Sequence, residues 1–270
     1  MRFKDEFFGS EAQITVSKRA CELWNLCSGD PRFSYNGRMV ALNGDIGPET
    51  VEVMAAAARL QGAVTNHFFP ESQANKTSSA LEALGLSCNR WEFYHGQKKA
   101  YEASKDILAK YQLPDDLAVE RLSPETSAKK IADLAAMAAD CEVMVMSGRV
   151  MRGLDIEGIT LGAFDVSGAA ISSAWGYKCY HPESGLSENA FWGGLTCRPD
   201  RRGQKVALIL GAMSIVALWE DHGVRGFCTG ITAGNMSSIA VCEKLGVFPS
   251  DWVGLGVTDP SMFQGGRLTK

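Results

Sequence analysis

The sequence predicts an α/β chain of the α+β kind, a mixed and mostly antiparallel sheet flanked by helices. Three observations carry this reading. Strand and helix signals do not alternate throughout, so a doubly wound parallel sheet fits poorly. Residues 158–182 read as two strands joined at Val166-Ser167-Gly168-Ala169, a hairpin signal. The apolar run from Val206 to Trp219 lies between two strand signals and reads as a buried crossover helix, which makes part of the sheet parallel.

The elements follow in order. Residues 37–45 give a short strand, and 47–62 a helix with Pro48 in its first turn and Gly62 at its end. "TNHFFPESQANKTSS" (65–79) reads as a polar and aromatic loop of the sort that lines a pocket or simply covers a surface. A helix stopped at Gly85, a strand through Trp91 and Phe93, and a helix over 97–112 complete the first half. The turn Leu113-Pro114-Asp115-Asp116 marks the expected boundary between a 1–115 domain and a 116–270 domain. After it come a strand ending at Pro124 and a helix with Ser123 or Thr126 as N-cap. The hairpin follows, then a strand over 188–199 and the apolar helix over 203–221, closed by Gly223. A strand over 224–233, a helix from Asn235 to Gly246 and a last strand over 247–257 end the series.

Bulk properties exclude several functions. The 270 residues are 46% hydrophobic and 21% charged, with a net charge of −4. Lys+Arg and Asp+Glu number 13 and 14 in residues 1–115 and 14 and 17 in the rest, so neither half offers a basic nucleic-acid footprint. The eight cysteines form no CxxC pair, and none of the four histidines clusters with them, so no metal site is expected. The first twenty residues have no apolar export segment, and scattered free thiols fit a reducing, cytoplasmic setting. The 14-residue apolar run is shorter than the about 20 residues of a membrane-spanning helix, so no membrane partner is expected. A homodimer is neither demanded nor forbidden.

"CRPDRRGQKVAL" (197–208) is a tight basic turn before that apolar helix. Unpaired amides and the positive end of the dipole favour an anion at a helix start. Gly203 permits close approach of the backbone, and Arg202 and Lys205 add charge. An ordinary strand-to-helix connection with solvated charges is the alternative.

The wider stretch "LTCRPDRRGQKVALIL" resembles the coenzyme A loop of the GCN5-related N-acetyltransferases, through Pro199, Asp200, Arg202, Gly203, Gln204 and Ala207. About 30 residues on, "NMSSIAVCEKLGV" resembles that family's second motif, through Asn235, Ser238, Ile239, Glu243, Lys244, Leu245 and Gly246. The resemblance covers roughly residues 117–257. It implies acetyl-CoA as the acyl donor and a small-molecule amine, such as an amino acid, as the acceptor. The strand ending Leu195-Thr196-Cys197 would diverge from its neighbour and offer backbone groups to the pantetheine arm. The amides of Arg202, Gly203, Gln204, Lys205, Val206 and Ala207 would hold the pyrophosphate, with Asn235 and Ser238 at the next helix start. Two positions depart from the pattern. Lys205 stands at the loop's second glycine, and Cys242 stands where many relatives keep a tyrosine acid. The resemblance leaves residues 1–115 unassigned. "LEALGLSCNRWEFY" (81–94) echoes the second motif's helix-to-strand passage, which raises a degenerate second copy as an expectation.

Candidates for proton transfer are few. Glu188 opens the strand leading into the loop and is a candidate base, or a solvated strand-entry residue. His181 is a turn residue or a base, and Tyr177 and Tyr180 are relay or packing residues. Cys242 is an acid candidate or a small buried hydrophobe. An acetyl-CoA-dependent N-acetyltransferase is the first reading, and a non-catalytic acyl-CoA-binding module the second.

Overall fold

A computed structural model describes residues 6–262; the chain ends at 1–5 and 263–270 lie outside the described residues. The first half contributes α1 (Glu11–Cys27), β1 (Phe33–Tyr35), β2 (Val40–Asn43), α2 (Thr50–Gln61), β3 (Ala63–Pro70), α3 (Glu71–Ala83), β4 (Ser87–Gly96) and α4 (Lys98–Lys110). The second half opens with β5 (Leu117–Arg121), α5 (Ala128–Asp140), α6 (Gly148–Met151), β6 (Gly158–Asp165) and β7 (Ala170–Tyr177). It continues with β8 (Asn189–Cys197), α7 (Val206–His222), β9 (Gly226–Ile231), α8 (Met236–Lys244) and β10 (Phe248–Thr258).

All ten strands form one sheet, in the order β1-β2-β3-β10-β4-β9-β8-β7-β6-β5. Only β2–β3 and β8–β9 are parallel. The expected mixed, mostly antiparallel sheet flanked by helices is present. Helix crossovers explain both parallel pairs, since α2 joins β2 to β3 and α7 joins β8 to β9. From β2 to β8 the order is symmetric. Strand β4 of the first half lies between β9 and β10, while β10 of the second half lies between β3 and β4. The turn at 113–116 connects α4 to β5, and strands from the segments on either side of it interleave in the one sheet.

Period-two alternation assigns the core layers. On β7 and β8, Ala174, Ala190 and Trp192 face α7, packing on Leu208, Leu210, Ala212, Ile215 and Leu218. Their neighbours Trp175, Tyr177 and Phe191 face the other side, toward Ile131, Leu134 and Ala138 of α5. Helix α7 is nearly apolar all round because α4 covers its outer side, with Tyr101 stacked on Trp219 at 4.9 Å. Each large apolar side chain buried there contributes roughly 1.5–3 kcal/mol. Trp192 is fully buried, and its indole N–H donates to the Ser214 hydroxyl at 2.7 Å.

Four local readings are corrected. Helix α1 carries no signal in the sequence reading because only Val16, Ser17 and Ala20 of its 17 residues are buried; a Ser10–Gln13 capping box starts it. The segment expected as a loop is strand β3 running directly into α3. Val64, Phe68 and Phe69 bury there, and Pro70 serves as the N-cap. Helix α5 is capped by Ser127, whose hydroxyl accepts from the Lys130 N–H, because the Thr126 hydroxyl is occupied by the Ser123 N–H. Helix α7 starts at Val206 rather than 203, because Lys205 is left-handed with φ 64°.

Candidate functional site

The site is built on the β8–β9 pair. Its ladder runs only from Asn189↔Gly226 to Phe191↔Cys228. Beyond Phe191 strand β8 stays with β7, and β9 stays with β4 as far as Glu92↔Ile231, so a fork opens between them. A bulge helps to open it. Ser173 pairs with Thr196 and Trp175 with Gly193, which leaves Ala174 opposite both Gly194 and Leu195. Glycine is required at 194, where φ is 60° and a Cβ would overlap the Trp175 indole. The Trp175 Nε1–H is buried at this bulge without a hydrogen-bond partner.

Strand β8 then enters the basic turn. Pro199–Arg201 makes one 3-10 turn, Gly203 takes φ 81°, and Lys205 begins α7 without a side-chain cap. The first-turn amides of α7 therefore have no capping side chain. A Cβ at Gly203 would meet nothing within 4 Å, so the backbone there is open to a ligand. The Lys205 ammonium lies 4.8 Å from the centre of the Tyr111 ring. Arg201 is held by two hydrogen bonds of 2.7 and 2.9 Å to Asp116, and Arg202 Nε donates to the Cys197 carbonyl at 3.3 Å.

One cavity of about 700 Å³ joins the turn, the fork and the first half of the chain. Among the residues expected to bind coenzyme A, Leu195, Thr196, Cys197, Arg202, Gly203, Lys205, Val206, Ala207, Asn235 and Ser238 all line it. Gln204 does not; its side-chain carbonyl accepts from Arg201 Nε at 3.1 Å. Asn235 caps α8, its Oδ1 accepting from the Ser238 N–H at 3.3 Å. Cys242 lines the cavity, but burial pushes its thiol up to about 12. Glu188 is not among the lining residues. It precedes the closed end of the β8–β9 ladder, where its carbonyl accepts from the Arg225 and Gly226 amides. His181 sits in a turn, its Nδ1 accepting from the Glu183 N–H. Tyr177 is buried against the Thr160 hydroxyl.

Among the lining residues that sequence reasoning did not single out are Arg38 and Trp175, while His67 falls in the 65–79 segment expected to line a pocket or cover a surface. Arg38 follows the β1 strand, His67 lies in β3 and Trp175 in β7, and nothing local marks Arg38 or Trp175. His67 is 1% exposed and stacks on Phe191 with ring centres 4.6 Å apart. Its Nδ1 lies 3.3 Å from the Tyr180 hydroxyl and its Nε2 3.3 Å from the Thr65 hydroxyl. Burial, followed by the positive charge of Arg38, holds His67 down at about 3, so it is neutral. Six cationic side chains and no carboxylate line the cavity among the described residues, an electrostatic setting that suits a polyanion.

A forked parallel pair leading into an uncapped helix start is the architecture of the acyl-CoA-dependent acetyltransferase fold. Solved structures support that class. A GCN5-related N-acetyltransferase from Kribbella flavida aligns over 91% of this chain and 95% of its own, with TM-score 0.52 and 11% identity. A Drosophila protein from a structural genomics programme aligns over 92% and 88%, with TM-score 0.51 and 12% identity. A tandem GNAT protein from the clavulanic acid biosynthesis pathway aligns over 77% and 68%, with TM-score 0.50 and 16% identity. No protein-family model and no curated protein matches the sequence. The chain therefore has the GCN5-related N-acetyltransferase fold, with likeness of shape at low identity.

Proposed function

We propose that this chain is an acetyl-CoA-dependent N-acetyltransferase acting on the amine of a small molecule or amino acid. The observation that carries this reading is the single cavity running from the uncapped start of α7, past the fork, into a chamber lined by the first half. The residues present fit coenzyme A. The backbone at Gly203 is open and the start of α7 lacks a side-chain cap, which suits a pyrophosphate, and the edge of β8 beyond Phe191, unpaired with β9, suits a pantetheine arm. Bound acetyl-CoA supplies an activated thioester carbonyl.

The chain's own groups supply the rest. The bulge at Gly194–Leu195 and the unpartnered Trp175 N–H are donors for the carbonyl oxygen as it gains charge. An acceptor amine in the chamber attacks with its lone pair, so a C–N bond forms as the C–S bond breaks. The ammonium proton leaves for water and the departing thiolate takes one from the same solvent, since no carboxylate lines the cavity among the described residues and His67, held down at about 3, is too weak a base. Cys242, with its thiol near 12, is a poor acid toward a departing thiolate and serves as packing. The test is release of free thiol from acetyl-CoA with a panel of amines, lost in Gly203→Pro.

The missing carboxylate favours a second reading, a module that binds acyl-CoA without turnover. Coenzyme A binding with no thiol release across the panel supports it. We also read residues 1–115 as a degenerate copy of the same fold. The series β2-α2-β3-α3-β4 repeats β8-α7-β9-α8-β10, and Glu82-Ala83-Leu84-Gly85-Leu86 parallels Glu243-Lys244-Leu245-Gly246-Val247. At the start of α2, the chain's own Asp45 carboxylate accepts from the Gly47 N–H at 3.0 Å and the Thr50 hydroxyl at 2.9 Å, filling the space an anion would need. One coenzyme site per chain is the consequence, read as the stoichiometry of a calorimetric titration.

A further inference from the structure

We propose that the acceptor carries a carboxylate and that Arg38 receives it, so the substrate is an amino acid or a related aminocarboxylic acid. The proposal rests on the acetyl-transfer reading above and names its substrate class. Arg38 sits in the turn between β1 and β2. Asn36 Oδ1 accepts from the Arg38 and Met39 amides, both at 3.2 Å, and the Gly37 carbonyl accepts from the Ser147 N–H at 3.3 Å. The turn is therefore fixed from both sides, and the guanidinium is positioned before any ligand arrives.

Arg38 as a residue is only 8% exposed, yet it lines the cavity. Its guanidinium lies 5.1 Å from the Trp175 ring centre and 5.6 Å from that of Phe191. Its Nη1 donates to the Met144 carbonyl at 3.2 Å, while its Nε–H is buried with no partner. No carboxylate acts on it among the described residues. The acidic groups within electrostatic reach are Cys179 and Tyr177, and burial raises both, so they are neutral. Desolvation lowers Arg38 to about 10, which still leaves it charged at neutral pH.

A buried cation without a counter-ion is expensive, and aromatic faces return only part of the cost. The other basic residues of the cavity differ in kind. Arg90 is paired with Glu71, Arg201 with Asp116, Arg202 and Lys205 belong to the basic turn, and Lys244 is exposed at the end of α8. Arg38 instead faces the chamber beside His67, away from the turn in sequence and on a different element. A carboxylate accepts a guanidinium's parallel N–H groups in pairs, and the unspent Nε–H here belongs to one such edge. An aminocarboxylate anchored on Arg38 leaves its amine free for attack. The carboxylate itself is unchanged by the reaction, in which a C–N bond replaces the C–S bond and the ammonium proton goes to solvent.

The rival role for Arg38 is a structural clamp on the Met144 loop. Calorimetry separates the two. N-acetyl derivatives of the twenty L-amino acids, and the matching N-acetyl amines that lack the carboxylate, are titrated into the full chain with and without saturating coenzyme A. The expected result is a preference for at least one carboxylated probe of about 10²-fold or more, the scale of a buried charge pair. Arg38→Gln should erase that preference, and Arg38→Lys should restore part of it, with coenzyme A affinity unchanged in both. Equal binding of both probe classes, no binding of any carboxylated probe, or a preference that survives in a folded Arg38→Gln protein overturns the proposal. Failure of coenzyme A to bind overturns acetyl transfer instead, and the titrations without coenzyme A still decide the role of Arg38.

Discussion

Lowering the pH should unfold this protein through one buried histidine. His67 is buried among Phe93, Phe191, Tyr180 and Thr65, and burial together with the Arg38 charge disfavours its imidazolium. Above about pH 6.5 the ring is neutral in both folded and unfolded chains, so it contributes no pH dependence. Below that value the unfolded histidine takes up a proton and the folded one does not, down to about 3. The unfolded state gains about 1.4 kcal/mol per pH unit over this window, and stability falls as pH falls. The full window amounts to about 5 kcal/mol, comparable with the whole stability of many domains. Denaturant unfolding followed by tryptophan fluorescence at pH 7.5, 6.5, 5.5 and 4.5 measures it, with His67→Gln as the control. Carboxylates titrate in both proteins and cancel in the difference. The wild type should lose about 2 kcal/mol more than His67→Gln between pH 6.5 and 4.5. Parallel curves would refute the reasoning and mean that the folded pocket accepts an imidazolium.

Other outcomes are expected at the coenzyme end of the cavity and in the core. Gly203→Pro cannot adopt the φ of 81° and loses an amide, so coenzyme A affinity should drop at least about tenfold while circular dichroism stays native; unchanged affinity by calorimetry would remove the turn from the site. Lys205→Gly should leave coenzyme A affinity within about threefold, because the ammonium lies over Tyr111; marked tightening would show that the side chain crowds the turn. Cys242→Ala should keep turnover within a few-fold, and a loss of about 10²-fold in a stable protein would make that thiol the acid. Ser214→Ala leaves the buried Trp192 N–H without an acceptor and should cost about 1–3 kcal/mol in chemical denaturation, with coenzyme A binding intact.

The sequence by itself determined what contiguous residues can encode. The turn from Cys197 to Lys205, the apolar helix after it, the Asn235 cap and the hairpin at 166–169 all depend on neighbours within a turn or two, and each was legible from spacing and residue type. Even there Lys205 hid its left-handed backbone, since only glycine or asparagine advertises that conformation. The tertiary structure decided which distant strands meet. Arg38 reaches a carbonyl 106 residues away, and His67 meets Tyr180 113 residues away. No local signal fixes such a pairing, because it depends on sheet register accumulated across ten strands. The exchange that puts β4 beside β9 and β10 beside β3 is likewise invisible in either half alone. An amphipathic strand specifies that it must bury a face, while the identity of its partner is set by whichever edge the rest of the chain leaves open.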